Sequence, residues 1–268
     1  MEDQKLLIPQ KNLRRFKNVE IPVVYRSVDY GIKKGNGQRS SISVIDTGCP
    51  LHEDLKGCIG ERVNFSDEAK THFDHHGHST IISGIIAANN KEKIVGFAPE
   101  ADLHFCKVSD NGGECDFNAI VAAVLWSVVK KVDIILMSIG TAFDYTVLHN
   151  AIKKAYNANI CIFAAKDNES TYPADYPEVL SFRSRPKGKY VKAQANGNNT
   201  VFVPMSSGGL LTTIGKSEYT KAYGPSIATA VGTGLAAVII DKMKQDDFLA
   251  EINPKDVYRA ARSLRFDG

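Results

Sequence analysis

An α/β fold with a mostly parallel central sheet and helices on both faces is predicted by two features of the sequence. Short apolar runs alternate with longer stretches of helical spacing, and several runs end in polar, glycine-bearing turns. The first such run, Ser41 to Ile45, ends in Asp46, Thr47, Gly48, Cys49 and Pro50, which reads as a buried strand with a carboxylate at its carboxyl end. A polar stretch, Asn64 to His76, leads to a helix over Ser79 to Asn90, where Ile81, Ile82, Ile85 and Ile86 recur at helical spacing and His78 stands at the start. Strand Leu103 to Val108, helix Asp116 to Lys131, strand Asp133 to Ile139, helix Thr146 to Ala158 and strand Ile160 to Ala165 follow in turn. Between Tyr172 and Thr220 the pattern weakens, leaving candidate strands at Val179 to Phe182, Tyr190 to Ala193 and Val201 to Val203. The run Ala228 to Met243 reads as a long core helix entered from Tyr223, Gly224, Pro225 and Ser226. Asn253 and Pro254 mark the cap and first turn of a terminal helix.

Composition narrows the function classes. A 43% hydrophobic share with 24% charged residues over 268 positions suits an ordinary globular protein with a sizeable core, and one domain is expected because no linker or repeat interrupts the strands. The net charge of +3 is mild, and no basic run interleaved with aromatics marks a nucleic-acid groove. Ala228 to Ile240, the most apolar stretch, falls short of the ~18 residues of a membrane span, so no membrane partner is expected. Met1 to Phe16 lacks the basic and apolar regions of a secretory signal, and Cys49, Cys58, Cys106, Cys115 and Cys161 form no CxxC pair. Both point to a reducing, cytoplasmic setting.

Ligands of open α/β sheets bind beyond the carboxyl ends of the strands, and three candidate groups fall at such places. Asp46 ends a strand, while His78 and Ser226 each open a helix. A hydroxyl nucleophile, an imidazole to take and return its proton, and a carboxylate to orient the imidazole are what acyl transfer requires. Their order along the chain, Asp then His then Ser, is the subtilisin order. Taken singly, each has a plainer reading: a turn aspartate, a helix-capping serine, and a solvated His72, Asp74, His75, His76, His78 loop in place of a metal site.

The local sequences resemble those of the subtilisin-like serine proteases, the subtilases. Val44 to Gly48 with His52 to Leu55 looks like the aspartate motif; Gly77 to Thr80 with Ser83, Gly84 and Gly96 to Pro99 looks like the histidine motif; Gly224 to Thr229 looks like the serine motif. The resemblance covers about residues 20 to 245 and implies a three-layer α/β/α fold with Asp46, His78 and Ser226 as the triad. It implies two substrate edges, Gly113, Glu114, Cys115 and Ser138, Ile139, Gly140, which would clamp a peptide as an added strand. Ala164 to Ser170 resembles the oxyanion segment, with Asn168 as the side-chain donor and Ala165 and Asp167 at the first substrate pocket. Leu7, Ile8 and Pro9 are similar to the amino-terminal motif of intracellular subtilisins, which implies an inhibitory extension over residues 1–19 ahead of a catalytic domain over 20–268.

The chain departs from the family pattern at several points. Pro225 stands where threonine is usual, and Lys166 and Asp167 replace small residues before Asn168, so altered elbow geometry and a taste for basic side chains in the first pocket are expected. No cofactor is needed for the chemistry. Asp54 matches a ligand position of the family's structural calcium, but Lys91 and Lys93 oppose a hard cation in that loop. The reading is therefore an endopeptidase acting on peptides or unfolded intracellular proteins through an acyl-enzyme on Ser226, with a homodimer left open. The alternative is a subtilase fold without catalysis that binds peptides or regulates, motivated by Pro225, Lys166 and Asp167. A nucleotide-binding α/β domain lacks the Gly-rich phosphate loop it would need.

Overall fold

The computed structural model of the chain describes residues 6–7, 15–16, 23–24, 35–167, 171–186, 199–205, 208–246 and 252–263. In chain order the strands are β1 (Leu6–Leu7), β2 (Arg15–Phe16), β3 (Val23–Val24), β4 (Ser41–Asp46), β5 (Ile59–Asn64), β6 (Asn89–Asn90), β7 (Ile94–Val95), β8 (Asp102–Lys107), β9 (Glu114–Cys115), β10 (Ile134–Met137), β11 (Cys161–Ala165), β12 (Val179–Pro186), β13 (Thr200–Met205), β14 (Leu210–Ile214) and β15 (Glu218–Ala222). The helices are α1 (His78–Ala87), α2 (Phe117–Lys130), α3 (Thr146–Asn157), α4 (Pro225–Gln245) and α5 (Pro254–Arg262), with a 3-10 turn at Glu53–Cys58.

Seven strands form the central sheet in the order β13-β12-β11-β10-β4-β8-β5, and every pairing in it is parallel. A parallel sheet is stable where both faces are covered, and the central strands show it. In β10, Ile134 and Leu136 join the cluster under α1 and α4, while Ile135 and Met137 join the cluster under α2 and α3. All four are essentially sealed from solvent. This is the three-layer architecture the sequence implies.

Local chemistry sets the helix ends. Asp116 caps α2 by accepting from the Asn118 and Ala119 N–H groups, and Asn253 caps α5 through Lys255 N–H. Helix α4 begins at Pro225, three residues before the apolar run, because the fixed φ of proline suits a first helical position whose N–H has no partner to lose. It reaches 21 residues, longer than the apolar run, and is buried from Ile227 to Asp241 as the core helix. Helix α1 stops at Ala87, short of the expected Asn90, since Asn89 and Asn90 pair antiparallel with Val95 and Ile94 instead. The expected strand at Tyr190 to Ala193 lies outside the described residues. The five cysteines are free and buried.

Two elements outside the sheet matter for the site. The β14–β15 hairpin lies against α1, where the Thr212 and Thr213 hydroxyls donate to the Ile81 and Thr80 carbonyls at 2.6 and 2.7 Å. The amino-terminal strands attach at three separate places: β1 antiparallel to β9, β2 antiparallel to β15, and β3 parallel to β7.

Candidate active site

Asp46 ends β4, the strand where the order of the sheet turns from β8 on one side to β10 on the other, and that is where α/β sheets open a crevice. The carboxylate is 1% exposed. It accepts from Thr47 N–H at 2.7 Å and faces His78 Nδ1 at 2.9 and 3.0 Å through its two oxygens. An ionised carboxylate only accepts, so Nδ1 carries the proton and Nε2 of the neutral ring is left as the acceptor. Burial alone would push His78 down, but the Asp46 carboxylate, by charge and hydrogen bond, and then Asp74 raise it above its ordinary 6.5. Burial would likewise push Asp46 up, yet the His78 imidazole and then Thr47 hold it below the usual carboxylate range.

The loops carrying this pair are laced together. Gly48 has φ of +128°, and a Cβ there would stand 2.7 Å from the His72 carbonyl oxygen, so only glycine lets the two backbones meet. Cys49 N–H donates to His72 O at 2.7 Å, and Asp74 N–H to Cys49 O at 2.8 Å. Asp74 then gathers four donors: Thr47 Oγ1 and Gly77 N–H on one oxygen, Thr80 N–H and Oγ1 on the other, at 2.6 to 2.8 Å. It satisfies first-turn amides of α1 and ties them to the residue after Asp46, so both partners are held in one frame. Behind them Lys107, fully buried at the end of β8, donates through Nζ to the Thr47 carbonyl at 2.7 Å and the Phe73 carbonyl at 3.3 Å. Burial lowers its pKa, with Asp74, Asp110 and Asp46 acting against that. Sequence reasoning missed both residues. A lysine inside the apolar run Leu103 to Val108 was the available signal for one, and Asp74 was hidden in a histidine-rich loop.

Ser226 is the second residue of α4 and is half-buried. Gly224 ahead of it has φ of +123° with open space around its α-carbon, so the need for glycine is conformational. Pro225 at the first helical position leaves the Ser226 N–H in place as a first-turn amide without an intrahelical partner. No hydrogen bond joins the Ser226 hydroxyl to His78 among the described residues; such contacts are commonly open before substrate closes a site.

The remaining expected positions divide. Glu114 and Cys115 form β9, with Gly113 just ahead of it, and β1 is paired along that edge with Leu6 opposite Cys115 and Leu7 opposite Glu114. Ser138, Ile139 and Gly140 follow β10, and the Ser138 hydroxyl is buried without a hydrogen-bond partner among the described residues. Ala165 ends β11 and is buried, while Asp167 is exposed. Lys166 is turned into an ion pair with Asp175, which also accepts from Thr171 N–H at 2.8 Å. Asn168, Ile8 and Pro9 lie outside the described residues.

The calcium position does not fit a cation. Asp54 is 8% exposed, and both of its oxygens already accept protein donors, Oδ2 from the Tyr219 hydroxyl at 2.6 Å and Oδ1 from Asn90 Nδ2 at 2.9 Å. The Lys93 ammonium sits 5.5 Å from the centre of the Tyr219 ring. No cluster of three or more metal-ligating side chains occurs among the described residues, the His72 to His78 loop included.

A subtilase family profile matches residues 37–260, the stretch that holds Asp46, His78 and Ser226. The chain belongs to the subtilase family. This subtilase is similar to the intracellular serine protease of Paenibacillus polymyxa, with 31% identity over 96% of the chain and 84% of the relative. It is 29% identical to the major intracellular serine protease of Bacillus subtilis (strain 168), again over 96% of the chain and 87% of the relative. The minor extracellular protease Epr of the same bacterium is 32% identical over 79% of the chain but 33% of its own length. The activity that family and relatives support is that of a serine endopeptidase.

Proposed function

We propose that this subtilase cleaves peptide bonds of intracellular proteins through an acyl-enzyme on Ser226, with His78 as general base and then general acid and Asp46 as its orienting partner. The observation that carries the reading is the two-oxygen grip of Asp46 on His78 Nδ1 at the switch point of the sheet, which leaves Nε2 free to take a proton. Attack by the Ser226 hydroxyl on a substrate carbonyl passes its proton to Nε2. The developing oxyanion falls to the Ser226 N–H at the start of α4, with Asn168 as the second donor, where each donor is worth ~10²- to 10³-fold in rate. His78 returns the proton to the leaving amine, and a water repeats the sequence to free the acid. Substrate lies extended between the edges Gly113 to Cys115 and Ser138 to Gly140, held mainly through backbone hydrogen bonds and so with broad sequence tolerance.

The pairing of Leu6–Leu7 with the first of those edges supports a second part of the proposal. Residues 1–19 are a self-inhibitory extension that occupies the substrate's place, with Leu7, Ile8 and Pro9 across the reacting centre. The names of the two intracellular relatives favour a cytoplasmic location. The filled coordination of Asp54 favours a fold held without calcium.

Labelling with a fluorophosphonate probe tests the catalytic reading. Wild type is expected to take the label and Ser226→Ala to take none. A wild type whose amino terminus has been removed and which still resists the probe would instead match a peptide-binding module without catalysis.

A further inference from the structure

Lys107 has no step of its own in the proton relay, yet the sheet sets it beside the relay's carboxylate. In the parallel register of β4 and β8, Asp46 stands opposite Lys107, as Val44 does opposite Phe105 and Ile42 opposite Leu103. Neighbouring strands lie about 4.8 Å apart. Both of those apolar pairs belong to the cluster under α1 and α4, so Asp46 and Lys107 leave their strands on that same face. A fully buried lysine therefore rises next to a carboxylate that is 1% exposed.

The two do not pair. Among the described residues Nζ donates to the Thr47 carbonyl at 2.7 Å and the Phe73 carbonyl at 3.3 Å, and no carboxylate lies within ion-pair distance of it. Burying a cation without a carboxylate partner is costly, and the placement calls for a reason. The two carbonyls supply one. Thr47 follows Asp46 and donates to it through N–H and Oγ1, while Phe73 precedes Asp74, which holds Thr80 in the first turn of α1. The lysine thus grips the backbone beside each of the two carboxylates that raise His78, and it leaves the oxygens of Asp46 to His78 and Thr47. We infer that Lys107 is a positioning residue of the relay: it braces the Asp46 and Asp74 loops against each other, and its positive charge offsets theirs, so that His78 is freed of its proton at a lower pH than those carboxylates alone would allow.

The inference rests on the proteolytic reading above and adds a residue to it. Burial lowers the pKa of Lys107 from its ordinary 10.5, and Asp74, Asp110 and Asp46 act against that, which favours the ammonium. Facing His78 are Asp46 from β4, Asp74 from the loop ahead of α1, and the ring of His76, which burial keeps neutral. Both carboxylates press the imidazole toward its cation, and Lys107 is the charge set against them.

The test compares the full-length protein with Lys107→Met, which keeps the length of the side chain without charge or donor, and Lys107→Gln, which keeps a donor without charge. Thermal melting checks that each folds. Both variants are expected to move the acidic limb of the kcat/KM profile on a chromogenic peptide upward by about half a pH unit. On the plateau, kcat is expected to fall roughly tenfold in Lys107→Met with KM changed by less than about twofold, and to fall less in Lys107→Gln. An acidic limb that stays in place in a variant that folds, or the failure of both variants to fold, would make Lys107 a support of the fold alone and overturn the inference. Wild type that neither cuts the peptide nor takes a fluorophosphonate label would overturn the proteolytic reading, and this inference with it.

Discussion

Replacing Tyr219 with phenylalanine removes one oxygen and leaves the ring in place. That oxygen is the donor to Asp54 Oδ2 at 2.6 Å, in a pair where the tyrosine is fully buried and the aspartate 8% exposed. A hydrogen bond to a charged acceptor contributes about 1.5–3 kcal/mol net, and here its loss leaves one carboxylate oxygen enclosed without this donor, so about 2 kcal/mol is expected. For a domain of this size that corresponds to a fall in Tm of roughly 4 to 8 °C. Thermal melting followed by circular dichroism, in a Ser226→Ala background that prevents self-digestion, reads the shift. The parent protein is expected to melt at the same temperature in EDTA and in millimolar calcium, because the donors on Asp54 are supplied by the chain. A melt of Tyr219→Phe indistinguishable from the parent, or a calcium-dependent rise in the parent's Tm, would refute the argument that a phenol and an amide have taken the cation's place.

Other outcomes follow from the same geometry. Because His78 is raised above 6.5 and, on the proposed relay, must be neutral to accept the Ser226 proton, kcat/KM is expected to climb with pH through a value above 6.5, as measured in a pH–rate profile. Asp46→Asn removes the main raising influence and the tautomer lock, so the acidic limb is expected to move to lower pH while kcat falls about 10⁴-fold. Asp74→Ala strips the acceptor from four donors around the start of α1; a loss of about 2 kcal/mol in a urea melt is expected. A kcat reduced roughly tenfold with little change in KM is expected alongside, since the residue acts through the placement of His78. Leu6→Pro combined with Leu7→Pro breaks the pairing with Glu114 and Cys115, and casein hydrolysis is expected to start roughly tenfold faster than in the parent. Equal initial rates would count against self-inhibition.

The parts of the molecule legible in the sequence are those that depend on local pattern. The apolar runs at Ser41, Leu103, Asp133 and Ile160 become strands because each is long enough to be buried on both faces, and Asn253 and Pro254 announce α5 by their own backbone chemistry. Strand β5 was not legible, since Ile59–Asn64 has two exposed charged residues in its middle and pairs at the sheet's edge. The β14–β15 hairpin was missed because two of its buried positions, Thr212 and Thr213, are threonines that bond to α1 and break the apolar pattern of the run. The ends of α1 and α4 were set by a short antiparallel pairing and by a proline whose missing N–H costs nothing where it stands. In the site, Asp46 and His78 could be read from adjacent residues. The Asp54–Tyr219 contact joins positions 165 residues apart and leaves no trace in either neighbourhood. Lys107 acts on the carbonyls of two other loops and Asp74 on the Thr47 hydroxyl as well as on nearby amides, and the long-range parts of these contacts are not encoded in residue patterns.

The three amino-terminal strands pair in three different sheets, and only the first lies along the edge proposed for substrate. A single cut anywhere between Leu7 and Arg15 would therefore let one short peptide go while the chain behind it stayed pinned at Tyr219 to Thr220 and at Ile94 to Val95. Maturation on these terms resembles drawing one stitch from a seam: the cleft is cleared and the body that surrounds it need not be refolded.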